Sequence, residues 1–299
     1  MAFRLHPGRG PAEDLRRVIG TELESAIAGA RDARRPLAAR VHGVRVAIKR
    51  ARAAIALVDS HAPRAWRQAS RLLHAAARQL AASRDAGVLL ATLDDLQKQR
   101  GADARLLSQV RRAVRADFRS RLAPAAIRSA LARSVKQLAT CSRSIARSAV
   151  DEDGFGILAA GLERTYRQAR RSFRAAVRDG SVDAFHRWRF HLKAHGYHCR
   201  LLESAWPDIM VHWSRQVQSV GRTLGIEHDH ALLHDWLSRH AGDRAEGRWR
   251  ETLELIARRR SHLREEAVDL GRRLCAEKPG ALVRRLEAWW ESAARAAES

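Results

Sequence analysis

Little in this 299-residue chain breaks or braces a backbone: it holds 7 prolines, 18 glycines and 3 cysteines. So few breakers, beside abundant Ala, Leu and Arg, argue for an all-helical protein. Cys141, Cys199 and Cys275 are far apart and odd in number. They match no metal spacing and are expected to be buried thiols of a reducing compartment. No apolar run approaches the roughly 18–20 residues that a bilayer span needs, so no membrane insertion is expected. The opening Met1-Ala2-Phe3-Arg4-Leu5-His6-Pro7 lacks the apolar stretch of a secretory signal, which points to the cytoplasm. Aromatic residues are only 5%, leaving few rings for stacking on bases. No P-loop, no G-x-S-x-G and no H-E-x-x-H occurs, nor any carboxylate pair spaced for metal-assisted phosphoryl transfer. No enzymatic activity and no cofactor are expected.

What is scarcest relative to its counterpart is negative charge. Against 56 Lys and Arg stand 33 Asp and Glu, a formal charge of +23. Such a chain repels itself unless something anionic lies against it: nucleic acid, an acidic membrane surface, or a phosphate polymer. All the basic residues but Lys49, Lys98, Lys136, Lys193 and Lys278 are arginines. The planar guanidinium binds phosphate oxygens in bidentate fashion. Hydrophobic residues at 45% are enough for real cores, so the charge does not signal disorder.

The prolines mark helix starts, because the first turn of a helix loses no bond to them. The first half reads as six helices, near 12–31, 36–60, 63–83, 84–100, 102–123 and 124–150. The acidic, glycine-bearing stretch Asp151-Glu152-Asp153-Gly154-Phe155-Gly156 is the only interruption of any length. Six more follow, near 156–179, 182–205, 207–225, 229–240, 243–277 and 280–297. A shift of 144 residues lays His42, Arg45 and Lys49 on His186, Arg189 and Lys193. It also lays Pro63 on Pro207, Arg71 on Arg215, Arg78 on Arg222 and Asp85 on Asp229, with no gap from residue 42 to 93. This is an internal repeat, and it predicts two similar antiparallel helical bundles related by a pseudo-twofold. The expected division is a tail 1–11, a bundle 12–150, a linker 151–156 and a bundle 157–299.

On a helical wheel His42, Arg45, Lys49 and Arg52 fall within an arc of about 80°. The second copy, His186, Arg189 and Lys193, continues with Tyr197 and Arg200, while Gly196 stands where Arg52 would be. On the next helix Arg67, Arg71, His74 and Arg78 share an arc of about 60°. Its second copy keeps Arg215 and Arg222. The opposite faces, with Val44, Ile48, Ile55, Leu72 and Leu80, read as core. A merely solvated face mixes signs to gain i,i+4 pairs, and like charges at these spacings are destabilising. Stripes almost free of acid, present twice, indicate a surface kept for an anionic ligand.

The pattern His42-x-x-Arg45-x-x-x-Lys49-Arg50-x-Arg52, followed by Ser83-Arg84-Asp85-x-x-Val88-Leu89, resembles the CHAD domain, the conserved histidine α-helical domain. His186-x-x-Arg189-x-x-x-Lys193-x-x-x-Tyr197 with Leu224-Gly225-x-x-His228-Asp229-x-x-Leu232-Leu233 is a second copy. The resemblance spans about residues 12–297. It implies two helical bundles whose basic surfaces bind inorganic polyphosphate, and association with polyphosphate granules. Some members are fused to CYTH triphosphatase domains, but the Glu-x-Glu-x-Lys signature of that domain is absent. Carried over by position, His42, Arg45, Lys49, His186, Arg189 and Lys193 would form the binding core. Arg71, Arg78, Arg84, Arg215, Arg222 and His228 would extend it. The sequence departs from the pattern at Gly196 and at His228, where the first copy has Arg84.

Other constellations carry less. His191, His195 and His198 share a helix face, and His228, Asp229, His230 and His234 cluster near an expected helix start. The cationic field opposes a metal there, so no metal is expected and these histidines read as surface or interface residues. Asp85 and Asp229 read as helix caps, or else as anchors orienting neighbouring Arg or His. The eight tryptophans, Trp66, Trp188, Trp206, Trp213, Trp236, Trp249, Trp289 and Trp290, read as packing between helices. The alternative function is non-specific nucleic-acid binding through the same phosphate contacts. Against it stand the scarce aromatics and the lack of any helix-turn-helix, zinc-finger or basic-zipper pattern. A peripheral membrane role ranks last, because the apolar faces are taken by the cores.

Overall fold

In the computed structural model six of the seven prolines stand at or immediately before a helix start: Pro11, Pro36, Pro63, Pro124, Pro207 and Pro279. The structure describes residues 3–58, 61–99, 101–119, 123–148, 150 and 154–298, without the side chains of 82–85, 241–248 and 298. Every regular element among the described residues is helical. The order is α1 (Pro11–Arg31), α2 (Leu37–Leu57), α3 (Arg64–Gln79), α4 (Ala81–Leu96), α5 (Ala104–Asp117) and α6 (Pro124–Ala146). Then come α7 (Gly156–Asp179), α8 (Val182–Leu201), a 3-10 turn at Glu203–Ala205, α9 (Pro207–Leu274) and α10 (Pro279–Glu298). Asp103 caps α5 by accepting from the N–H groups of Arg105 and Leu106, and Ser181 caps α8 by accepting from Ala184 N–H.

Two expected boundaries move. The α3–α4 break falls at Leu80, not at Arg84-Asp85, so Asp85 lies in the second turn of α4. In the second half the expected break at 226–228 is absent. Its glycines are packing residues: a Cβ on Gly221 would lie 3.5 Å from Lys193 Cγ, and one on Gly225 would lie 3.6 Å from Arg189 Nε. Asp229 is therefore deep inside α9 and does not cap a helix.

α9 carries 68 helical residues, yet its two arms lie side by side. Arg260 and Arg264 both donate to Glu227 Oε1, at 3.0 and 2.8 Å, and Thr223 Oγ1 donates to Glu266 at 3.2 Å. A straight helix would hold residues 227 and 260 about 50 Å apart. The chain therefore turns back on itself between Trp236 and Trp249, whose rings stack at 6.2 Å between centroids, while helical backbone runs on through the break expected near 241–242.

The larger core draws on both halves of the chain. Val44, Ile48 and Leu57 of α2, Trp66 and Leu73 of α3, Tyr166 of α7, Trp188 and Leu192 of α8, and Leu224 of α9 all belong to it. A smaller core joins Leu89 and Leu93 of α4 and Val110 of α5 to Leu233, Leu237 and Ile256 of α9. Leu89 and Leu93 and their counterparts under the 144-residue shift, Leu233 and Leu237, thus share one core. Val44, Ile48, Ile55 and Leu80 are buried as expected, and Leu72 is half-buried against the core. The three cysteines are free and buried. No helix among the described residues is long and apolar enough to cross a membrane.

The seam between the halves depends on one missing side chain. A Cβ on Gly161 of α7 would sit 1.9 Å from the carbonyl oxygen of Leu57, the last residue of α2. Backbone cannot yield there as a flexible side chain could, so the two helices would have to part. Gly161→Ala is expected to lower stability by about 3 kcal/mol. Gly20→Ala in α1, where a Cβ meets nothing within 4 Å, should raise it by up to about 1 kcal/mol through helix propensity. Urea-denaturation midpoints of the two variants, moving in opposite directions, check both.

Seven of the eight tryptophans pack as expected: Trp66, Trp188, Trp236 and Trp290 are buried, and Trp213, Trp249 and Trp289 lie half-buried against the cores. Trp206 does not. It is 44% exposed at the start of α9, edge-on to Trp289 at 5.0 Å between centroids. It precedes the first helical residue, where no neighbouring turn covers it.

Candidate functional site

Three tethers set α2, α7 and α8 against one another. The Nε2–H of buried His198 on α8 donates to Ala53 O of α2 at 2.9 Å. Arg164 of α7 donates to Ala56 O of α2 at 2.8 Å. Gly161 lets α7 reach the end of α2. The basic stripes of α2 and α8 then face a common space instead of opposite sides of the molecule.

The main cavity, about 510 Å³, is walled by both stripes. From α2 come Arg45, Lys49 and Arg52; from α3, His74 and Arg78; from α8, Arg189, Lys193 and Tyr197. A second cavity of about 370 Å³ shares Lys193 and Tyr197 with the first and adds His42, Arg200 and Arg222. Among the described residues lining these two cavities none is acidic. A third, also about 370 Å³, shares His42 and Arg50 with the second and continues past Arg35 and Arg40. Here one acid intrudes: Glu22, held by Arg50 at 3.0 Å. The shared residues join the three into a single basic groove running across both halves.

Eleven of the residues expected from sequence therefore lie in one groove, drawn from four helices. Arg45 Nη1 also donates to Leu80 O at 3.0 Å, bracing the α3–α4 break. Its counterpart Arg189 runs alongside Gly225, one residue past the equivalent of Leu80. The departure at Gly196 has a packing cause. A Cβ there would lie 3.2 Å from Val217 Cγ1 of α9, so a side chain such as the one Arg52 places in the groove would have to displace Val217 at this crossing.

Other expected residues sit elsewhere. Arg67, Arg71 and Arg215 are exposed and do not line these cavities, and Arg67 donates to Ala62 O at the start of α3. His186 and His228 form a pair of their own, with Nδ1 atoms 3.2 Å apart and ring centroids at 4.3 Å. The Arg84 side chain lies outside the described residues, as does that of Asp85.

Sequence reasoning missed Arg50, Arg164, Gln168, Phe190 and, as a groove residue, His191. Arg50 lies within the α2 motif, and its position beside the stripe could have shown it. Arg164 and Gln168 belong to α7, and nothing in the sequence tells which helix α7 faces. The histidine face of α8, expected at the surface or an interface, divides. His195 and His198 are buried in the core, His198 at the contact of α8 with α2, and of the three only His191 reaches the groove. No group of three or more His, Cys, Asp or Glu among the described residues could hold a metal.

Burial marks the groove's titratable groups. Burial, then the fields of Arg52 and Arg78, lower the pKa of His74. Burial lowers that of His191 and of Arg52 itself. It also lowers that of Arg200, with Arg50 adding to the effect. Burial is the leading cause in all four, and neighbouring cations add to it at His74 and Arg200.

A family model for the CHAD domain matches residues 17–238. Among solved structures, the chain is similar to the crystal structure of the CHAD domain from the plant Ricinus communis. The TM-score is 0.62 at 16% identity, over 96% of this chain and 95% of that one. A search of curated proteins returned no match.

Proposed function

The chain belongs to the CHAD domain family, and from that premise we propose that it is a non-catalytic module that binds inorganic polyphosphate along the groove between α2 and α8. The observation that carries the reading is the acid-free pair of cavities walled by Arg45, Lys49, Arg189 and Lys193 from both halves. Polyphosphate is a flexible chain with about one charge per phosphate and no bases. A run of closely spaced cationic donors is what it rewards, through charge-assisted hydrogen bonds and release of counterions. The role that follows is association with polyphosphate granules, or scaffolding on the polymer, with no chemistry performed on it.

Competition tests the reading. Labelled long-chain polyphosphate is bound at about 50–300 mM salt against excess duplex DNA and single-stranded RNA, because such affinities mean little at unspecified salt. Polyphosphate is expected to stay bound near physiological salt while matched phosphate in nucleic acid fails to displace it. Equal competition would make the charge generic and the nucleic-acid reading the better one.

Protons should be taken up on binding. In the free groove His74 and His191 titrate below the ordinary histidine range. A polyanion laid beside them favours their charged form and raises both pKa values. The affinity gained is present below the free-state pKa values and is lost as pH rises through the bound-state ones. Binding is therefore expected to be tighter at pH 6 than at pH 8, by about threefold to tenfold. Calorimetry in buffers of different ionisation enthalpy reads the uptake directly, and a pH-independent affinity would remove the histidines from binding.

A further inference from the structure

The floor of the main cavity does not suit a bare phosphate chain. Beneath the cations lie Ile48, Ile55 and Ala53, all buried, with Ala56, Ala77 and Ala194 beside them. Polyphosphate has no apolar surface to set against such a floor, so covering it gains nothing from the hydrophobic effect. On the α8 side stands Phe190, 59% exposed, the most exposed large hydrophobic side chain among the described residues. Phe190, Ala194 and Tyr197 follow one another at i, i+4 and i+7, so they form a single face of α8. Arg189 and Lys193 flank that face and line the same cavity. His191 meets the Phe190 ring edge-on at 5.2 Å between centroids. A cavity of about 510 Å³ is also of the size that holds small organic ligands, which typically take a largely apolar pocket with a few charged groups fixing one end.

From this juxtaposition of an exposed ring, an apolar floor and an acid-free cationic wall, we infer that the main cavity takes nucleoside polyphosphates. The base lies on Phe190 and the phosphate chain on Arg45, Lys49, Arg189 and Lys193. The phosphate half of this inference rests on the polyphosphate reading above; the base half rests on Phe190 and the floor alone. Stacking of a base on an aromatic side chain contributes enough to tighten binding by about tenfold. The purine ring also covers the half-exposed Ala56, Ala77 and Ala194, which the phosphates leave wet.

The test compares ATP with tripolyphosphate by calorimetry on the full chain, in a chelator so that no divalent ion alters either charge. ATP carries no more charge than tripolyphosphate, so electrostatics alone gives it no advantage. About tenfold tighter binding of ATP is expected. Phe190→Ala should bring ATP down to the tripolyphosphate affinity and leave tripolyphosphate within about twofold. Phe190→Trp should retain the preference. Phe190 is solvent-facing, so neither change removes core packing. ATP binding no tighter than tripolyphosphate would overturn the inference and leave the polyphosphate reading standing, as would Phe190→Ala weakening both ligands alike or neither. ATP binding without any tripolyphosphate binding would do the reverse, and silence from both ligands would remove the two together.

Discussion

Replacing Lys49 and Lys193 together by glutamate is expected to weaken polyphosphate binding by about a hundredfold at ~0.1 M salt, with each single replacement costing about thirtyfold. The double loss is smaller than the product of the single ones because both lysines wall one cavity. Whichever is reversed first places a carboxylate where phosphate must lie, and the chain leaves the cavity. The second reversal then removes a contact already weakened. Two separate sites, one on each half, would instead give independent losses that multiply. Fluorescence anisotropy of labelled polyphosphate with the four proteins of the cycle measures the coupling. Multiplicative losses would divide the groove into two sites. The slope of log affinity against log salt should also fall by about one for each phosphate contact removed.

The coupling predicted here could not be argued from sequence, although most of its residues could. The stripes of α2 and α8 were legible because their spacing alone puts His42, Arg45, Lys49 and Arg52 on one face, and the register of the second copy repeats it. That the two faces meet was not. It depends on Gly161 admitting the end of α2 and on His198 reaching Ala53, which are contacts between residues 104 and 145 positions apart. For the same reason Arg164, Gln168 and Phe190 went unseen as groove residues: each lies off the repeated stripe and matters only through what α7 and α8 face. Helix starts were readable wherever proline wrote them. Helix continuity was not: the boundary expected after residue 225 is uninterrupted helix in the fold, where Gly225 packs against Arg189. The reading of Asp229 as a cap failed with that boundary.

The histidines that do not touch the groove should make the free protein sensitive to acid, in the direction opposite to ligand binding. His195 lies against Tyr166 at 4.8 Å between centroids, with Nε2 3.4 Å from Cys199 Sγ. His198 has its Nε2–H committed to Ala53 O, and its Nδ1 is buried with no hydrogen-bond partner among the described residues. Burial pushes His195 down to about 3 and His198 to about 4, with Arg164 adding to the effect at His198. A base whose folded pKa is depressed binds fewer protons in the native state than in the unfolded one, so stability rises with pH. The stability is fully present above the unfolded value near 6.5 and is lost as pH falls from there toward the folded values. By about pH 5 each histidine should cost about 2 kcal/mol, and burial lowers His230 and His234 in the same direction. Urea denaturation from pH 8 to pH 5 is expected to show a loss of more than about 4 kcal/mol, of which His198→Gln removes about 2 kcal/mol, even though the variant starts less stable at pH 8. An unchanged slope in His198→Gln would assign the acid sensitivity to the general positive charge. If polyphosphate binding tightens as pH falls, as proposed, its protection of the fold should be larger at pH 5.5 than at pH 8. The same acidification that loosens the free chain is thereby expected to favour the bound one, because the neutral histidines of the core stay buried while those of the groove would gain an anionic neighbour.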